Sequence, residues 1–219
     1  SDGLIQSTFA VLGNVQYQVP DEAVAEKTMQ VKILRRDTGI KTNRCCLDTD
    51  GTLVYSRLMD YLVENVKRND QILEDLIMNR EHSNLILSDR LLHLQLVMAA
   101  MPIEVRQYAV MIDGSMTSKK AKADRIKAIE DMKSGKKHFL FASYSLAKEG
   151  LDIPRLDRLY LATPKKDYAV VTQSIGRIAR AFEGKADAVC YDYVDEIQFC
   201  ENQWKRRKTS YRKAGCEFL

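Results

Sequence analysis

Residues 138–181 read HFLFASYSLAKEGLDIPRLDRLYLATPKKDYAVVTQSIGRIARA, and this stretch decides the fold that we expect. Residues 138–143 form a short apolar run, which is typical of a buried strand. Residues 157–163 form a second apolar run, closed by Pro164. Residues 168–181 then space their apolar side chains as one face of a helix does. The stretch therefore predicts two buried strands followed by a helix that packs on them.

The same alternation of strand and helix continues on both sides of this stretch. We expect strands at 29–34, 84–88, 107–112, 138–143, 157–162 and 187–194, and helices at 55–65, 70–80, 90–101, 117–134, 168–181 and 197–213. Repeated strand–helix units lay their strands parallel and cover both faces of the sheet with helices. The expected fold class is therefore α/β, a three-layer domain with a mostly parallel sheet.

The composition limits the classes of protein to which the chain can belong. Its 219 residues are 45% apolar with 4 prolines and 10 glycines, which is typical of a globular domain. No apolar run approaches the ~18 residues of a membrane helix, and the first residues lack the features of a signal peptide. The five cysteines include no C-x-x-C pair, and no zinc-ligand spacing occurs. We therefore expect a cytoplasmic protein with reduced thiols, no metal site and no membrane partner.

Gln173, Arg177 and Arg180 are the residues of the opening stretch that indicate chemistry. The two arginines are three residues apart with the glutamine one turn before them, so all three lie on one helical face. A guanidinium carries a fixed charge and a planar fork of donors, which suits the oxygens of an anionic triphosphate. Gly176 lets a bulky ligand approach the helix. Because ligands of open α/β sheets bind outside the carboxyl ends of strands, we expect this motif and residues 150–154 along that edge.

The two motifs, in this order, resemble those of the second RecA-like lobe of superfamily 2 helicases of the DEAD/DEAH type. Residues 141–154 look like motif V, residues 173–180 look like motif VI, and residues 84–90 stand where motif IV would be. The closest likeness is to phage-type and restriction-like helicases, in which a run such as residues 68–70, Arg-Asn-Asp, opens the helix before motif IV. The resemblance covers about residues 30–213 and implies a RecA-like fold.

This resemblance also implies a domain organisation. Residues 1–29 would be the tail of a preceding lobe plus a linker, and residues 30–219 would be the carboxyl-terminal lobe. The partners would be nucleic acid, with DNA favoured over RNA, and an N-terminal RecA-like lobe of the same full-length protein. A phage-encoded protein of this kind would act in the host cytoplasm.

By resemblance, six residues would act on ATP. Arg180 would be the arginine finger that reaches the γ-phosphate, with Arg177 and Gln173 assisting. Residues on the cofactor-binding side would be Gly150, Asp152 and Gly176. ATP and Mg²⁺ would be bound mainly by the missing first lobe.

The nucleic-acid contacts would come from polar residues at the carboxyl ends of strands. Phosphate contacts of this kind hold a strand without reading its sequence. The candidates are Ser88, Arg90, Gly114, Ser115 and Ser143. Relatives often have threonine where Ser143 stands, and either hydroxyl can bond a phosphate.

The 219 residues contain no G-x-x-x-x-G-K-[ST] loop, which decides how much chemistry they can do alone. Without that loop there is no cradle of backbone amides for the phosphates and no hydroxyl for Mg²⁺. The acidic pairs at residues 21–22 and 195–196 are therefore not interpreted as the metal-holding motif of an ATPase. We expect this fragment alone to be inactive, as one lobe of a two-lobe helicase.

Two alternative functions remain open on the sequence. Residues 47–54, LDTDGTLV, resemble the nucleophile loop of haloacid-dehalogenase-like phosphatases, with Asp48 attacking phosphorus and Asp50 acting as acid and base. Against this interpretation, residues 43–47 make a poor buried strand. The second alternative is a nucleic-acid-binding module without helicase activity. The basic cluster at residues 205–208 fits either strand binding or a charged helix that packs its tryptophan on the domain.

Overall fold

The computed structural model of the chain describes residues 28–114, 118–148, 151–165 and 167–219. The strands are β1 (Val31–Asp37), β2 (Asn84–Ser88), β3 (Ala109–Ile112), β4 (Phe139–Ser143), β5 (Arg158–Leu161), β6 (Ala188–Val194) and β7 (Glu217–Phe218). The helices are α1 (Tyr55–Val63), α2 (Val66–Met78), α3 (Leu91–Ala100), α4 (Ile103–Arg106), α5 (Lys119–Lys133), α6 (Tyr144–Lys148), α7 (Tyr168–Ile178) and α8 (Gln198–Lys213). The segment expected to be a tail and linker is residues 1–29, and residues 1–27 of it lie outside the described part of the chain.

The strands form one sheet in the order β3-β4-β2-β5-β6-β1-β7, and every pair in it is parallel. The longest ladder joins β1 to β6, from Val31 opposite Ala188 to Asp37 opposite Val194. Strands that are buried on both faces consist of nearly continuous apolar runs, and β2, β4, β5 and β6 all fit this description. The expected α/β fold with a parallel sheet is confirmed.

Alternate residues of each central strand enter two different cores, so helices cover both faces of the sheet. Leu85 and Leu87 of β2 join one core, whereas Ile86 joins the other. Helices α5, α6, α7 and α8 supply the first core, and α2, α3 and α4 supply the second. Each fully buried aliphatic or aromatic side chain stabilises the fold by roughly 1.5–3 kcal/mol. The domain therefore has the three layers that the alternation predicted.

Helix α2 begins earlier than the sequence indicated. Its cap is Asn65, whose side chain accepts a hydrogen bond from the backbone N of Arg68 at 3.1 Å. Asn69, one of the two expected caps, instead donates to the carbonyl of Val63 at 2.8 Å. The expected cap at Asn69 or Asp70 was therefore wrong by one turn. Helices α4 and α6 and strand β7 were not expected.

Candidate functional site

Helix α7 carries the arginine motif away from the carboxyl edge of the sheet. The helix begins after β5 and has 11 residues, so its last turn lies ~16 Å back along the sheet. Its end meets the amino end of β1, because the backbone N of Met29 donates to the carbonyl of Ala179 at 2.5 Å. Thr28 and Arg180 form an antiparallel bridge at the same place. The expectation that both motifs lie along the carboxyl edge is therefore wrong for the arginines. It is also wrong for Asp152, which pairs with Arg180 and lies in the segment that precedes the amino end of β5.

The sequence of α7 explains which side chains face outward. Asp167 caps the helix, its Oδ1 accepting from the backbone N of Ala169 at 3.0 Å. Val171, Ile175 and Ile178 are buried at the spacing of one helical face. The opposite face leaves two predicted site residues exposed and two half-buried: Gln173 and Gly176 exposed, Arg177 and Arg180 half-buried. The structure thus places Gln173, Gly176 and Arg177 on the outer side of α7 and Arg180 two residues beyond its end.

Arg180 forms an ion pair with Asp152, the predicted site residue of the preceding motif. Its Nη1 donates to Oδ1 of Asp152, and Lys133 Nζ approaches Oδ2 of the same carboxylate at 3.4 Å. The hydrogen bond from Arg180, followed by the charge of Lys133, lowers the pKa of Asp152. Both side chains of the Arg180–Asp152 pair are open to water, 41% and 62% exposed, so the pair is well screened. An anionic ligand can therefore compete with Asp152 for Arg180.

Arg177 is held more deeply than Arg180. Its Nη2 donates to the carbonyl of Ala147 at 3.2 Å. Its Nε is buried and has no hydrogen-bond partner within the described parts of the chain. Burial, and then the charge of Arg180, lowers the pKa of the Arg177 guanidinium. An unsatisfied buried donor costs free energy, so Arg177 is suited to an acceptor that arrives with a ligand.

Lys185 is a residue of this site that the sequence reasoning missed. Its Nζ donates to the carbonyls of Ile178 at 2.5 Å, Arg180 at 2.7 Å and Leu156 at 2.8 Å. These carbonyls include those at the end of α7, which have no partner within the helix. Burial lowers the pKa of Lys185 to about 8. The sequence could have indicated this role, because Lys185 follows the end of a helix and cations are favoured at helix C-termini.

The residues that were predicted to contact nucleic acid lie at the carboxyl edge of the sheet, away from the arginines. Their surroundings differ from one residue to the next. Ser88 is fully buried, and its Oγ lies 3.2 Å from His93 Nδ1 and accepts from Arg90 N at 3.0 Å. The expectation that Ser88 offers its hydroxyl at the surface is corrected, because His93 and Arg90 already occupy it. Ser143 is half-buried, with its Oγ 2.8 Å from Ser145 Oγ.

The remaining predicted residues are exposed or outside the description. Arg90 is partly exposed and forms an ion pair with Asp60 at 3.3 Å. Gly114 is exposed after β3. Ser115 and Gly150 lie outside the described residues. The structure thus brings Arg90, Gly114 and Ser143 to one edge of the sheet.

A buried ion pair organises this edge beneath the surface. Arg68 and Asp195 are fully buried, and Arg68 Nε donates to Asp195 Oδ1 at 2.9 Å. Arg68 Nη1 also donates to the carbonyl of Ala162 at 2.6 Å, and Thr38 Oγ1 donates to the same carboxylate oxygen at 2.7 Å. This network ties β1, α2, β5 and β6 together. Arg68 is therefore a structural anchor, and Asp195 serves as its partner.

The basic cluster of α8 is only partly available to a ligand. Arg207 is buried and makes two hydrogen bonds to Asp192, at 2.8 Å and 2.7 Å. Tyr211 donates to the same carboxylate at 2.5 Å, and Trp204 packs into the core. These contacts raise the pKa of Arg207, although burial opposes them. The helix packs its tryptophan on the domain, while Arg206 on the opposite side stays exposed.

The phosphatase alternative is inconsistent with the position of Asp48 and Asp50. Both side chains are exposed on a tight turn, in which Asp48 N donates to Thr52 O at 2.8 Å and Gly51 N donates to Asp48 O at 3.0 Å. Gly51 has a φ of 82°, as the glycine of such a turn requires. A phosphatase nucleophile would end a strand of the sheet, whereas these residues lie in the hairpin between β1 and α1. Within the described residues, no group of three metal-binding side chains comes together.

In the part of the chain that the structure describes, no helix is long and apolar enough to span a bilayer.

Comparisons with known proteins give one consistent family. The family model described as Helicase conserved C-terminal domain matches residues 66–182. The chain is 28% identical over 144 residues to Probable helicase D10 of Escherichia phage T5, covering 65% of this chain and 31% of that protein. The chain therefore spans about a third of the length of this curated relative.

Two solved structures illustrate the fold. S. cerevisiae Dbp5 bound to RNA and ADP BeF3 matches with a TM-score of 0.61 and 13% identity, over 100% of this chain and 49% of that one. T4 UvsW matches with a TM-score of 0.61 and 16% identity, over 87% of this chain and 40% of that one. At these identities the likeness concerns the fold alone.

Proposed function

The chain belongs to the family of helicase conserved C-terminal domains, and from this premise we propose that it is the carboxyl-terminal lobe of an ATP-dependent helicase or translocase. The observation that carries the proposal is the arginine pair at the end of α7, with Arg180 held by an exposed carboxylate and Arg177 by a carbonyl. A second lobe, upstream in the full-length protein, would bind ATP and Mg²⁺. The surface of this lobe that would meet it is the carboxyl-terminal end of α7, with Arg177, and the turn that follows with Arg180.

The residues present fit a triphosphate. Arg177 has a buried Nε without a partner among the described residues, and Arg180 can exchange Asp152 for a phosphate oxygen. ATP with Mg²⁺ would supply the free energy of phosphoanhydride hydrolysis. Arg180 would place its fixed charge against the charge that develops on the transferred group, and Arg177 and Gln173 would orient it. An arginine in this role is worth ~10³–10⁵ in rate.

The nucleic-acid strand would bind at the carboxyl edge of the sheet, opposite the edge near which the arginines lie. Arg90, Gly114 and Ser143 lie at the carboxyl ends of β2, β3 and β4, where backbone amides, hydroxyls and a guanidinium can contact phosphates. We propose that α7 links the two functions, since its first turn is near this edge, its last turn carries Arg177, and Arg180 follows directly after it. Movement of the arginines against the upstream lobe would then displace the carboxyl edge of the sheet, which holds the nucleic-acid strand.

We propose DNA as the strand, on the likeness to phage-type helicases. Competition between DNA and RNA oligonucleotides of one sequence tests this choice. Tighter binding of the RNA would overturn it.

Reconstitution tests the proposed function. The chain alone should hydrolyse ATP negligibly, with or without DNA, because it contains no phosphate-binding loop. The full-length protein should show DNA-stimulated turnover, and Arg180→Ala in it should lower kcat by about 10³-fold or more. Lys127→Ala removes an exposed cation from α5, outside the proposed sites, and should leave turnover unchanged. Robust ATPase from the isolated chain would contradict the proposal.

The alternative of a binding module without helicase activity makes a different prediction. It expects salt-sensitive DNA binding by the full-length protein with no stimulated ATPase, whatever residue stands at position 180.

A further inference from the structure

A pocket lies at the carboxyl edge of the sheet, where we propose that nucleic acid binds, and it has features that phosphate contacts do not explain. It has a volume of about 390 Å³ and is lined by Tyr55, Asp89, Lys165, Asp167, Phe199 and Gln203. Asp89 follows β2, Lys165 follows β5, and Phe199 lies in the first turn of α8 after β6. All these elements meet at the carboxyl edge of the sheet. The pocket therefore lies on the edge that also carries Arg90.

Two aromatic rings form one side of the pocket. Tyr55 and Phe199 have ring centroids 5.7 Å apart at an angle of 57°. The Tyr55 ring is 47% exposed, so one of its faces is open to a ligand. An exposed ring can stack on any base, since every base has a flat π-face.

A buried amide without a partner lies in the same pocket. Gln203 is 5% exposed, and its Oε1 has no hydrogen-bond partner within the described residues. A buried polar atom of this kind carries a desolvation penalty that a hydrogen bond from a ligand would remove. A flat ligand with a polar edge would satisfy Gln203 and stack on Tyr55 at once.

The charges of the pocket favour a base over a phosphate of the nucleic-acid strand. Lys165 is already paired with Asp89 at 2.7 Å, and its Nζ lies 5.0 Å from the centre of the Tyr144 ring. With Asp167 also present, the pocket contains no net positive charge, so a phosphate is not its natural occupant. A base has a neutral face for stacking and donors or acceptors at its edge.

We propose that this pocket binds an unpaired base of the strand, stacked on Tyr55 and hydrogen-bonded through Gln203. The inference rests on the proposed function and adds a contact to the base. The upstream lobe is a less suitable occupant, because the arginines that would face it lie at the other end of α7. Phosphates on either side of the base would meet Arg90, which is the next residue after Asp89.

The test uses the full-length protein and two single-stranded DNA oligonucleotides. One carries normal bases, and the other carries abasic sites over the central stretch. Wild type should bind the normal strand about tenfold more tightly, the size expected from one stacked base. Tyr55→Ala should lose that preference and leave abasic binding unchanged, whereas Tyr55→Phe should keep it. Gln203→Met should weaken only the normal strand.

Tyr108→Ala is the matched control. Tyr108 is 42% exposed and stacks on His138 at the amino edge, far from the pocket, so its removal should change neither affinity. Circular dichroism and thermal unfolding of each variant would show that the fold is retained.

The outcomes separate this inference from the proposed function. Equal binding of both oligonucleotides by wild type, with stimulated ATPase retained, would overturn the base pocket alone. Equal loss on both oligonucleotides in Tyr55→Ala would also overturn it and would indicate that the pocket holds the upstream lobe. Failure of wild type to bind either strand or to show stimulated ATPase would overturn the proposed function as well.

Discussion

Arg180 and Asp152 are 28 residues apart in sequence and form an ion pair, and both side chains are exposed to solvent. The pair joins the residues that follow α7 to the loop that precedes β5. Lys133, at the end of α5, approaches the other oxygen of the same carboxylate. The arginine is thus held in place by a partner that a phosphate could replace. We propose that Asp152 positions Arg180 for the phosphate.

Removal of Asp152 should therefore impair turnover without unfolding the domain. In the full-length protein, Asp152→Ala should lower the DNA-stimulated kcat by about 10- to 100-fold, because a small misplacement of a catalytic group has effects of this size. The melting temperature should change little, since the carboxylate is exposed. Glu183→Gln, at an exposed nearby residue, is the control and should leave kcat unchanged. Unaltered kcat in Asp152→Ala would contradict the positioning role.

Lys185 should contribute to stability through the end of α7. Lys185→Met keeps the unbranched, flexible stem of the side chain but removes the donor to three carbonyls. It should lower the free energy of unfolding by about 1–3 kcal/mol. Urea unfolding of the domain measures this change. Lys205→Met, at an exposed position of α8, should have little effect. Equal stability of the two variants would show that Lys185 does not hold the helix end.

Arg207 should be far more important for folding than its neighbour Arg206. Arg207→Met leaves Asp192 buried without its charged partner and should cost about 3–5 kcal/mol of unfolding free energy. Arg206→Met, one residue away but exposed, should change it by less than about 0.5 kcal/mol. Chemical denaturation of both variants under one set of conditions gives the comparison. Similar values would show that α8 does not depend on the Arg207–Asp192 pair.

His93 should make the domain sensitive to acid. Burial, with the charge of Arg68, lowers the pKa of His93 to about 3. In the unfolded chain its pKa is about 6.5, so between these values the unfolded state binds a proton that the folded state refuses. Stability should therefore fall as pH falls through this range, by up to ~1.4 kcal/mol per pH unit for this one group.

The comparison with His93→Gln measures that contribution. Glutamine can still bond Ser88 and Asn69 but does not titrate, so the variant should lose less stability than wild type between pH 7 and pH 4. Parallel slopes for the two proteins would show that His93 takes no part in the acid response.

The elements of this fold were predictable because their signals are local. The sequence predicts strand β2 at residues 84–88, where the structure has it, because a run of apolar residues between polar ones is recognisable without a distant partner. The start of α2 was missed because Asn65 and Asn69 both fit a helix cap, and only packing decides between them.

The surroundings of the site residues depended on tertiary contacts. Ser88 ends its strand as predicted, but nothing near it in sequence indicates that His93 encloses its hydroxyl. The position of Arg180 at the amino end of the sheet follows from the length and direction of α7. Arg207 could have been found, because it falls on the buried face that Gln203 and Trp204 define at helical spacing.

The backbone bridge between Thr28 and Arg180 bears on how this lobe can be cut and grafted. A truncation that removes Thr28 and Met29 would deprive the arginine turn of its only strand-like neighbour among the described residues, although no side chain of the motif is altered. Insertions between Met29 and Val31 would uncouple that turn from the first strand. Hybrid proteins that join this lobe to a foreign partner should therefore place their junction before residue 28.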